Sequence, residues 1–262
     1  MNHSFSAPAK KSLGQHFLAD RYYIDRIVQA VDPRAGQHLV EIGPGQGAIT
    51  FPLLRKHGAL TVIEFDRDLI APLTDAAAPI GALSIIHRDV LSVDFTALAD
   101  GTPIRLVGNL PYNISSPILF HALDHARAVA DMHFMLQKEV VDRMAAGPGS
   151  KVYGRLSVML QAYCEVTALF VVPPGAFRPP PKVDSAVVRL VPRDPATVQI
   201  RDRRRFADVV RAGFGQRRKT LRNALSNVCE PAHFEAAQVR PEARAEQLEV
   251  ADFIRLANVE PA

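Results

Sequence analysis

Short apolar runs alternate with helix-like segments through the first 190 residues of the chain. Five of these runs predict strands of the kind that is buried on both faces of a parallel sheet: residues 38–42, 60–64, 83–86, 104–107 and 131–136. The segments between them have helical spacing and cover residues 48–56, 67–77, 117–126 and 138–145. This alternation predicts an α/β fold built on a Rossmann-like sheet.

The last part of the chain has a different organisation. Two apolar runs, residues 166–172 and 185–191, flank the proline-rich loop PPGAFRPPPK and predict a pair that completes a seven-stranded sheet. Beyond them the segment PRDPATVQI is a break, and only helical patterns follow, at residues 203–212, 217–226, 231–238 and 250–258. We therefore expect a domain of residues 1–193 and a small all-α domain of residues 194–262.

Composition excludes several classes of protein. With 262 residues, 48% hydrophobic and 22% charged, the chain is typical of globular proteins, and no apolar run approaches the ~18 residues that span a bilayer. Its two cysteines, Cys164 and Cys229, form neither a CxxC pair nor a disulfide framework. We expect a cytoplasmic protein with no metal site and no membrane contact.

A glycine loop and two acids predict a ligand site at one edge of the sheet. The first strand runs into Gly43-Pro44-Gly45-Gln46-Gly47, where glycines allow a sharp turn and a close approach of ligand to backbone. Glu64 ends the second strand, where a carboxylate can accept hydrogen bonds from ribose hydroxyls, and Asp89 follows the third. The GxGxG spacing makes NAD or FAD less favoured, although it does not exclude them.

The fourth strand ends in the segment Asn109-Leu110-Pro111-Tyr112. An amide oxygen and a backbone carbonyl, held by a stiff proline, can accept hydrogen bonds from an exocyclic amine on a flat base and free its lone pair. Tyr112 can stack on that base. The order of these residues after a glycine loop predicts transfer of a group to a base amine.

Seven segments together resemble the small-subunit ribosomal RNA adenine dimethyltransferases, which use S-adenosylmethionine to methylate N6 of two adjacent adenines. The resemblance covers nearly the whole chain: KKSLGQHFL (10–18), VEIGPGQGAIT (40–50), VIEFDRD (62–68), GNLPYNISSP (108–117), HFMLQKEVVDR (133–143), FRPPPKVDSAVVRL (177–190) and FGQRRKTLRNAL (214–225). It implies a class I methyltransferase fold and 16S rRNA in a pre-30S particle as the partner of a monomeric enzyme.

The resemblance also implies two sets of site residues. The cofactor set is His16, Leu18, Gly43, Gly45, Glu64, Asp89 and Asn109. The catalytic set, which holds the target base, is Asn109, Leu110, Tyr112 and Phe177, with Phe177 expected to stack on the face of the base opposite Tyr112.

A basic run opens the helical domain. Residues 200–230 contain nine Lys or Arg against three acids, a local charge of +6, whereas the whole chain carries +4. With Lys10 and Lys11, we expect Arg217, Arg218, Lys219 and Arg222 to bind RNA phosphates.

The sequence leaves three other functional hypotheses open. They are a large-subunit rRNA adenine methyltransferase, a DNA adenine methyltransferase, and a ribosome assembly factor whose binding matters more than its chemistry.

Overall fold

A seven-stranded sheet is the framework of the computed structural model, which describes residue 10 and residues 15–259. The strands are β1 (Phe17–Leu18), β2 (His38–Ile42), β3 (Ala59–Glu64), β4 (Ala82–His87), β5 (Ile104–Asn109), β6 (Val129–Gln137), β7 (Cys164–Val172), β8 (Phe177–Arg178) and β9 (Ser185–Pro192). The order of the seven-stranded sheet is β4-β3-β2-β5-β6-β9-β7, with β2 to β6 parallel and β9 antiparallel to β6. A separate two-stranded sheet pairs β1 with β8.

Eleven α-helices lie in the described part of the chain. They are α1 (Arg21–Val31), α2 (Thr50–His57), α3 (Arg67–Ala77), α4 (Phe95–Ala99), α5 (Ser115–Asp124), α6 (Lys138–Ala145), α7 (Arg155–Tyr163), α8 (Arg203–Gly215), α9 (Leu221–Ala224), α10 (Pro231–Ala236) and α11 (Val250–Asn258).

The strands of the large sheet match the seven predicted from the sequence, so these predictions and the α/β fold class are confirmed.

Several elements differ from the sequence prediction, and helices α4 and α7 lie where no helix was predicted. The helix predicted over residues 217–226 is reduced to the single turn α9, because the chain before it forms a turn, closed by the Lys219 N–H and the Gln216 carbonyl, and Thr220 is extended. The pairing of β1 with β8 has no sequence signal, because two-residue strands are too short for periodicity to be visible.

Contacts divide the chain into two compact units. The first contains the residues up to Val141 together with Thr167–Pro192, and the second contains Asp142–Val166 together with the residues from Arg193 onward. The sequence placed residues 142–166 in the first domain. In the second unit, however, the Tyr153 hydroxyl donates to the Leu248 carbonyl at 2.9 Å, and its ring meets that of Phe214 edge-on at 5.9 Å. Contacts this distant along the chain have no signature in local sequence.

A buried ion pair anchors α1 in the first unit. Arg105 donates from Nε and Nη2 to the Asp131 carboxylate, at 2.8 and 2.9 Å, and also from Nη2 to the Val31 carbonyl at the end of α1. Such a bidentate pair fixes orientation, and each buried charge is satisfied by the other. The helix that follows β1 is thereby attached to β5 and β6, the strands that lead into the candidate site.

Candidate functional site in the first unit

The carboxyl ends of β2, β3 and β5, together with the turn after β4, surround a cavity of about 250 Å³. Eight of the ten site residues expected from the sequence in this unit line it: His16, Gly43, Gly45, Glu64, Asp89, Asn109, Leu110 and Tyr112. Parallel strands bring their carboxyl ends to one edge, so residues distant in the chain meet there. The structure brings the glycine loop, the two acids and the Asn-Leu-Pro-Tyr segment together at this edge.

The glycine loop approaches the N-terminal part of the chain closely. Gly45 has φ +55°, and a Cβ at this position would lie 3.0 Å from the Phe17 ring. Gly47 has φ +81°, and a Cβ there would overlap the ring of Phe51 in α2. Both positions need glycine, because an L side chain would be strained and would have no space. The loop thus leaves backbone exposed to the cavity beside Phe17.

Glu64 joins the glycine loop to the turn after β3. Its Oε1 accepts a hydrogen bond from the Asp66 N–H at 2.7 Å, and its Oε2 accepts one from the Gly45 N–H at 3.4 Å. Burial raises the pKa of Glu64, while the hydrogen bonds from the Asp66 and Gly45 N–H groups favour the ionised form. The carboxylate is therefore held at the cavity wall with lone pairs left for a ligand.

Asp89 lies on the same cavity wall after β4. Its Oδ1 accepts a hydrogen bond from the Leu91 N–H at 2.9 Å and so caps a short 3₁₀ turn over Val90–Ser92. Its Oδ2 has no partner among the residues that the structure describes. That oxygen is available to accept a hydrogen bond from an amine.

Beneath the glycine loop, β2 contains a second buried acid. Glu41 is 1% exposed, and its Oε2 has no hydrogen-bond partner in the described structure. Burial raises the pKa of Glu41 to about 8, and the nearby charge of Glu64 acts in the same direction. The residue is therefore a largely neutral acid in the folded protein near neutral pH.

We expect Glu41→Gln to remove a pH dependence of stability. Between the ordinary pKa of 4.5 and about 8, the folded wild type keeps a proton that the unfolded chain has released. The free energy of unfolding of the wild type therefore falls as pH rises through this window, by at most about 1.4 kcal/mol per pH unit. Urea unfolding at several pH values measures this slope, and an equal slope in the variant would contradict the assignment.

The Asn109 amide is oriented by the backbone of residue 16. Asn109 Nδ2 donates to the His16 carbonyl at 2.9 Å. Because the donor end of the amide is engaged there, Oδ1 is directed away from that carbonyl as a free acceptor. The sequence indicated an acceptor at position 109, and the structure shows which group sets its orientation.

Tyr112 is held from two sides. Its hydroxyl lies 2.6 Å from Ser185 Oγ at the start of β9, and its ring lies nearly parallel to that of His16, with centroids 5.9 Å apart and planes at 26°. Burial raises the pKa of the Tyr112 hydroxyl, so the phenol is neutral at physiological pH. A half-buried neutral ring of this kind offers a stacking surface.

Leu18 and Phe177 do not line the cavity. They pair across β1 and β8, and their side chains are 5% and 0% exposed within the hydrophobic core of the first unit. Phe177 is a core residue in this arrangement, because strand pairing directs its ring inward. The predicted stacking of Phe177 on a target base has no counterpart in the structure.

Three polar residues of the site were not singled out by sequence. Gln15 lines the cavity, Asp66 accepts hydrogen bonds from Gln15 and Lys10, and Ser185 holds Tyr112. All three fall in segments that carry the family resemblance, which is the signal that could have identified them. Their roles depend on partners more than 50 residues away, which no local pattern reveals.

The basic run in the second unit is partly neutralised. Arg217 Nη2 donates to the Lys151 carbonyl at 2.9 Å and lies 3.6 Å from Glu246, while Arg222 lies 2.9 Å from Glu242. The side chains of Arg218 and Lys219 are exposed and have no partner among the described residues. In the first unit, Lys10 pairs with Asp66 and Asp68, and Lys11 lies outside the described residues.

Comparison with known proteins identifies the family. A family model described as "Ribosomal RNA adenine dimethylase" matches residues 7–260. The chain belongs to the ribosomal RNA adenine dimethylase family. The expected enzyme class, an rRNA adenine dimethyltransferase, and S-adenosylmethionine as methyl donor are thereby confirmed.

Relatives of this dimethylase extend the comparison. The chain is 97% identical over 262 residues, all of both chains, to "Ribosomal RNA small subunit methyltransferase A" of Xanthomonas oryzae pv. oryzae (strain PXO99A). It resembles the crystal structure of a dimethyladenosine transferase from Plasmodium falciparum (TM-score 0.80, 26% identity, 92% and 96% of the two chains). It also resembles that of the 23S rRNA methyltransferase ErmE (TM-score 0.71, 25% identity, 92% and 98%).

Within the described part of this dimethylase, no helix combines the length and apolar character needed to cross a membrane.

Proposed function

We propose that this dimethylase transfers two methyl groups from S-adenosylmethionine to N6 of each of two adjacent adenines in a loop of small-subunit (16S) rRNA. The observation that carries the proposal is the Asn109 amide, whose donor end is engaged by the His16 carbonyl, so that its oxygen is an acceptor beside Tyr112. An acceptor and a stacking ring at this place suit an exocyclic amine on a base. The 97% identical relative is named for the small subunit, which favours 16S rRNA over the large-subunit alternative.

The residues of the cavity fit S-adenosylmethionine. Exposed glycine-loop backbone offers room for the methionine part, and the free lone pairs of Glu64 suit ribose hydroxyls. The free Oδ2 of Asp89 suits the amine of the cofactor's adenine. When bound, S-adenosylmethionine supplies a methyl group already activated by a cationic sulfur.

Asn109 and Leu110 activate the target amine. The lone pair of an adenine N6 is delocalised into the ring, so the amine is a poor nucleophile. Hydrogen bonds from its two N–H groups to Asn109 Oδ1 and the Leu110 carbonyl favour a tetrahedral nitrogen with a free lone pair. The Leu110 N–H donates to the Met135 carbonyl at 3.1 Å, which attaches the backbone of Leu110 to β6.

Tyr112 positions the base, and no strong general base is needed. Ser185 fixes the Tyr112 hydroxyl, so the ring is a rigid platform for a base flipped out of its RNA loop. Holding the amine in line with the methyl group supplies most of the acceleration. The alkylated nitrogen becomes acidic and loses its proton readily. For the second transfer, only one N–H remains to donate a hydrogen bond.

Mass spectrometry of small-subunit rRNA tests this function. We expect incubation with the protein and labelled S-adenosylmethionine to give N6,N6-dimethyladenine at two adjacent positions of 16S rRNA. Large-subunit rRNA in the same reaction is the control. Label on large-subunit rRNA alone would overturn the small-subunit assignment.

We further propose that the enzyme acts as a monomer in the bacterial cytoplasm on a pre-30S particle. RNA docking is assigned to the second unit, through Arg218 and Lys219 in particular, with Arg217 and Arg222 beside them. This differs from the sequence expectation, in which the four residues were equivalent, because Glu246 and Glu242 neutralise the latter two.

We expect Arg218→Glu combined with Lys219→Glu to weaken binding to small-subunit particles. Each lost phosphate contact should also flatten the slope of log K against log salt by about 1. Filter binding at several salt concentrations measures both effects. Reversal of two exposed cations of the first unit, Arg34 and Lys56, is the control for total charge. An unchanged salt slope in the Arg218 and Lys219 variant would contradict the assignment.

A further inference from the structure

A strap of N-terminal residues, Lys10 and residues 15–18, crosses the edge of the cavity. At one end, Lys10 Nζ lies 2.5 Å from Asp66 Oδ1 and 2.6 Å from Asp68 Oδ2. Gln15 Nε2 donates to Asp66 Oδ2 at 3.1 Å, and Gln15 Oε1 accepts from the Lys10 N–H at 2.8 Å. These contacts join the strap to the turn between β3 and α3.

Asp66 is the centre of this attachment. It is 5% exposed, and both of its carboxylate oxygens are engaged, one by Lys10 and the other by Gln15. Burial opposes ionisation of Asp66, but the hydrogen bonds from Lys10 and Gln15 hold the pKa of its carboxyl below the usual range. The hydrogen bonds from Lys10 to Asp66 and Asp68 raise the pKa of Lys10. The pair is therefore ionised at neutral pH.

The other end of the strap contacts the segment Asn109-Leu110-Pro111-Tyr112, here called the catalytic segment. The His16 carbonyl accepts from Asn109 Nδ2, and the His16 ring Nδ1 lies 2.9 Å from the Pro179 carbonyl, to which it donates. Gln15 immediately precedes His16 in the chain. Attachment of Gln15 to Asp66 thus limits the movement of the carbonyl that orients Asn109.

Asn109 can accept a hydrogen bond from the target amine only when the oxygen of its side-chain amide faces that amine. The oxygen and nitrogen of an amide are nearly equal in size, so a rotated amide fits the same space but presents donors to the amine. A fixed His16 carbonyl disfavours the rotated form, because the two oxygens would then face each other. We propose that Lys10 and Gln15, acting through Asp66, are positioning residues for methyl transfer, which set the Asn109 amide through the His16 carbonyl. This inference rests on the function proposed above.

Lys10→Met tests the proposal by the products formed. We expect kcat to fall by about tenfold or more, as for small displacements of other reacting groups. N6-monomethyladenine should accumulate, because the monomethylated amine has only one N–H. The second transfer therefore depends on a single hydrogen bond and is more sensitive to a misplaced acceptor. Lys10→Arg should restore most of the dimethyl product, and Gln15→Leu should act as Lys10→Met does. The control is Lys56→Met, which removes an exposed ion pair with Asp32 elsewhere in the unit.

A second measurement is independent of activity. In asparagine-labelled protein, NMR measures exchange of the Asn109 side-chain amide protons, assigned with Asn109→Ala. We expect faster exchange in Lys10→Met than in the wild type and Lys56→Met, at a temperature well below the unfolding transition of all three proteins. Equal exchange rates, or a wild-type product ratio in Lys10→Met, would overturn the positioning role. A wild type that leaves 16S rRNA unmethylated would instead overturn the proposed function, while the exchange experiment would still decide the positioning role.

Discussion

Asn109→Ala is expected to reduce methyl transfer by about 100- to 1,000-fold or more, while the protein still binds S-adenosylmethionine. The variant removes the acceptor that frees the lone pair of the amine, an interaction that is strongest in the transition state. Loss of one preorganised hydrogen-bonding group of this kind in other enzymes has an effect of this size. Transfer of labelled methyl groups to small-subunit particles, under single-turnover conditions, measures it.

Calorimetry and a matched variant separate the effect on chemistry from an effect on cofactor binding. Calorimetry should give an S-adenosylmethionine affinity within about tenfold of that of the wild type, because Glu64 and Asp89 remain. Asn109→Asp is the matched variant: it keeps an oxygen but cannot donate to the His16 carbonyl. We expect it to be nearly as inactive as Asn109→Ala. Substantial turnover by Asn109→Ala would refute the assignment of the catalytic segment.

Glu64→Ala is expected to weaken S-adenosylmethionine binding by about 100-fold, or ~3 kcal/mol. A carboxylate that accepts hydrogen bonds from two ribose hydroxyls contributes on this scale, since hydrogen bonds to charged groups are the stronger ones. The substitution also frees the Gly45 and Asp66 N–H groups, which now bond to this carboxylate. Isothermal calorimetry measures the affinity directly.

Glu64→Gln is the matched variant, because it keeps the size of the side chain and one acceptor oxygen. We expect an intermediate affinity for it. At saturating S-adenosylmethionine, Glu64→Ala should recover much of its methyl transfer, whereas Asn109→Ala should not. An unchanged affinity in Glu64→Ala would show that the ribose does not bind at the end of β3.

The positions of the strands along the chain were predictable because strands leave local patterns. Residues 38–42 and 60–64 are short and largely apolar runs, which are typical of strands buried on both faces of a parallel sheet. The glycine loop could be placed at the ligand edge for a similar reason, since Gly45 and Gly47 adopt positive φ values that other residues disfavour.

The position of Phe177 could not be predicted in the same way. The family resemblance implied a ring that stacks on a target base. Pairing of β8 with β1 directs that ring into the core instead. Strand pairs of two residues are decided by tertiary packing and not by periodicity.

The sequence by itself determined the α/β fold and the set of glycines, acids and polar residues that meet at the carboxyl edge of the sheet. These depend on backbone propensity, burial pattern and side-chain chemistry, which are local properties. Only the tertiary structure decided how those residues are oriented. The His16 carbonyl accepts a hydrogen bond from Asn109, Ser185 is hydrogen-bonded to Tyr112, and Lys10 and Gln15 donate to Asp66. Each of these contacts joins residues more than 50 positions apart, and a hydrogen bond depends on distance and angle, which only the folded chain defines.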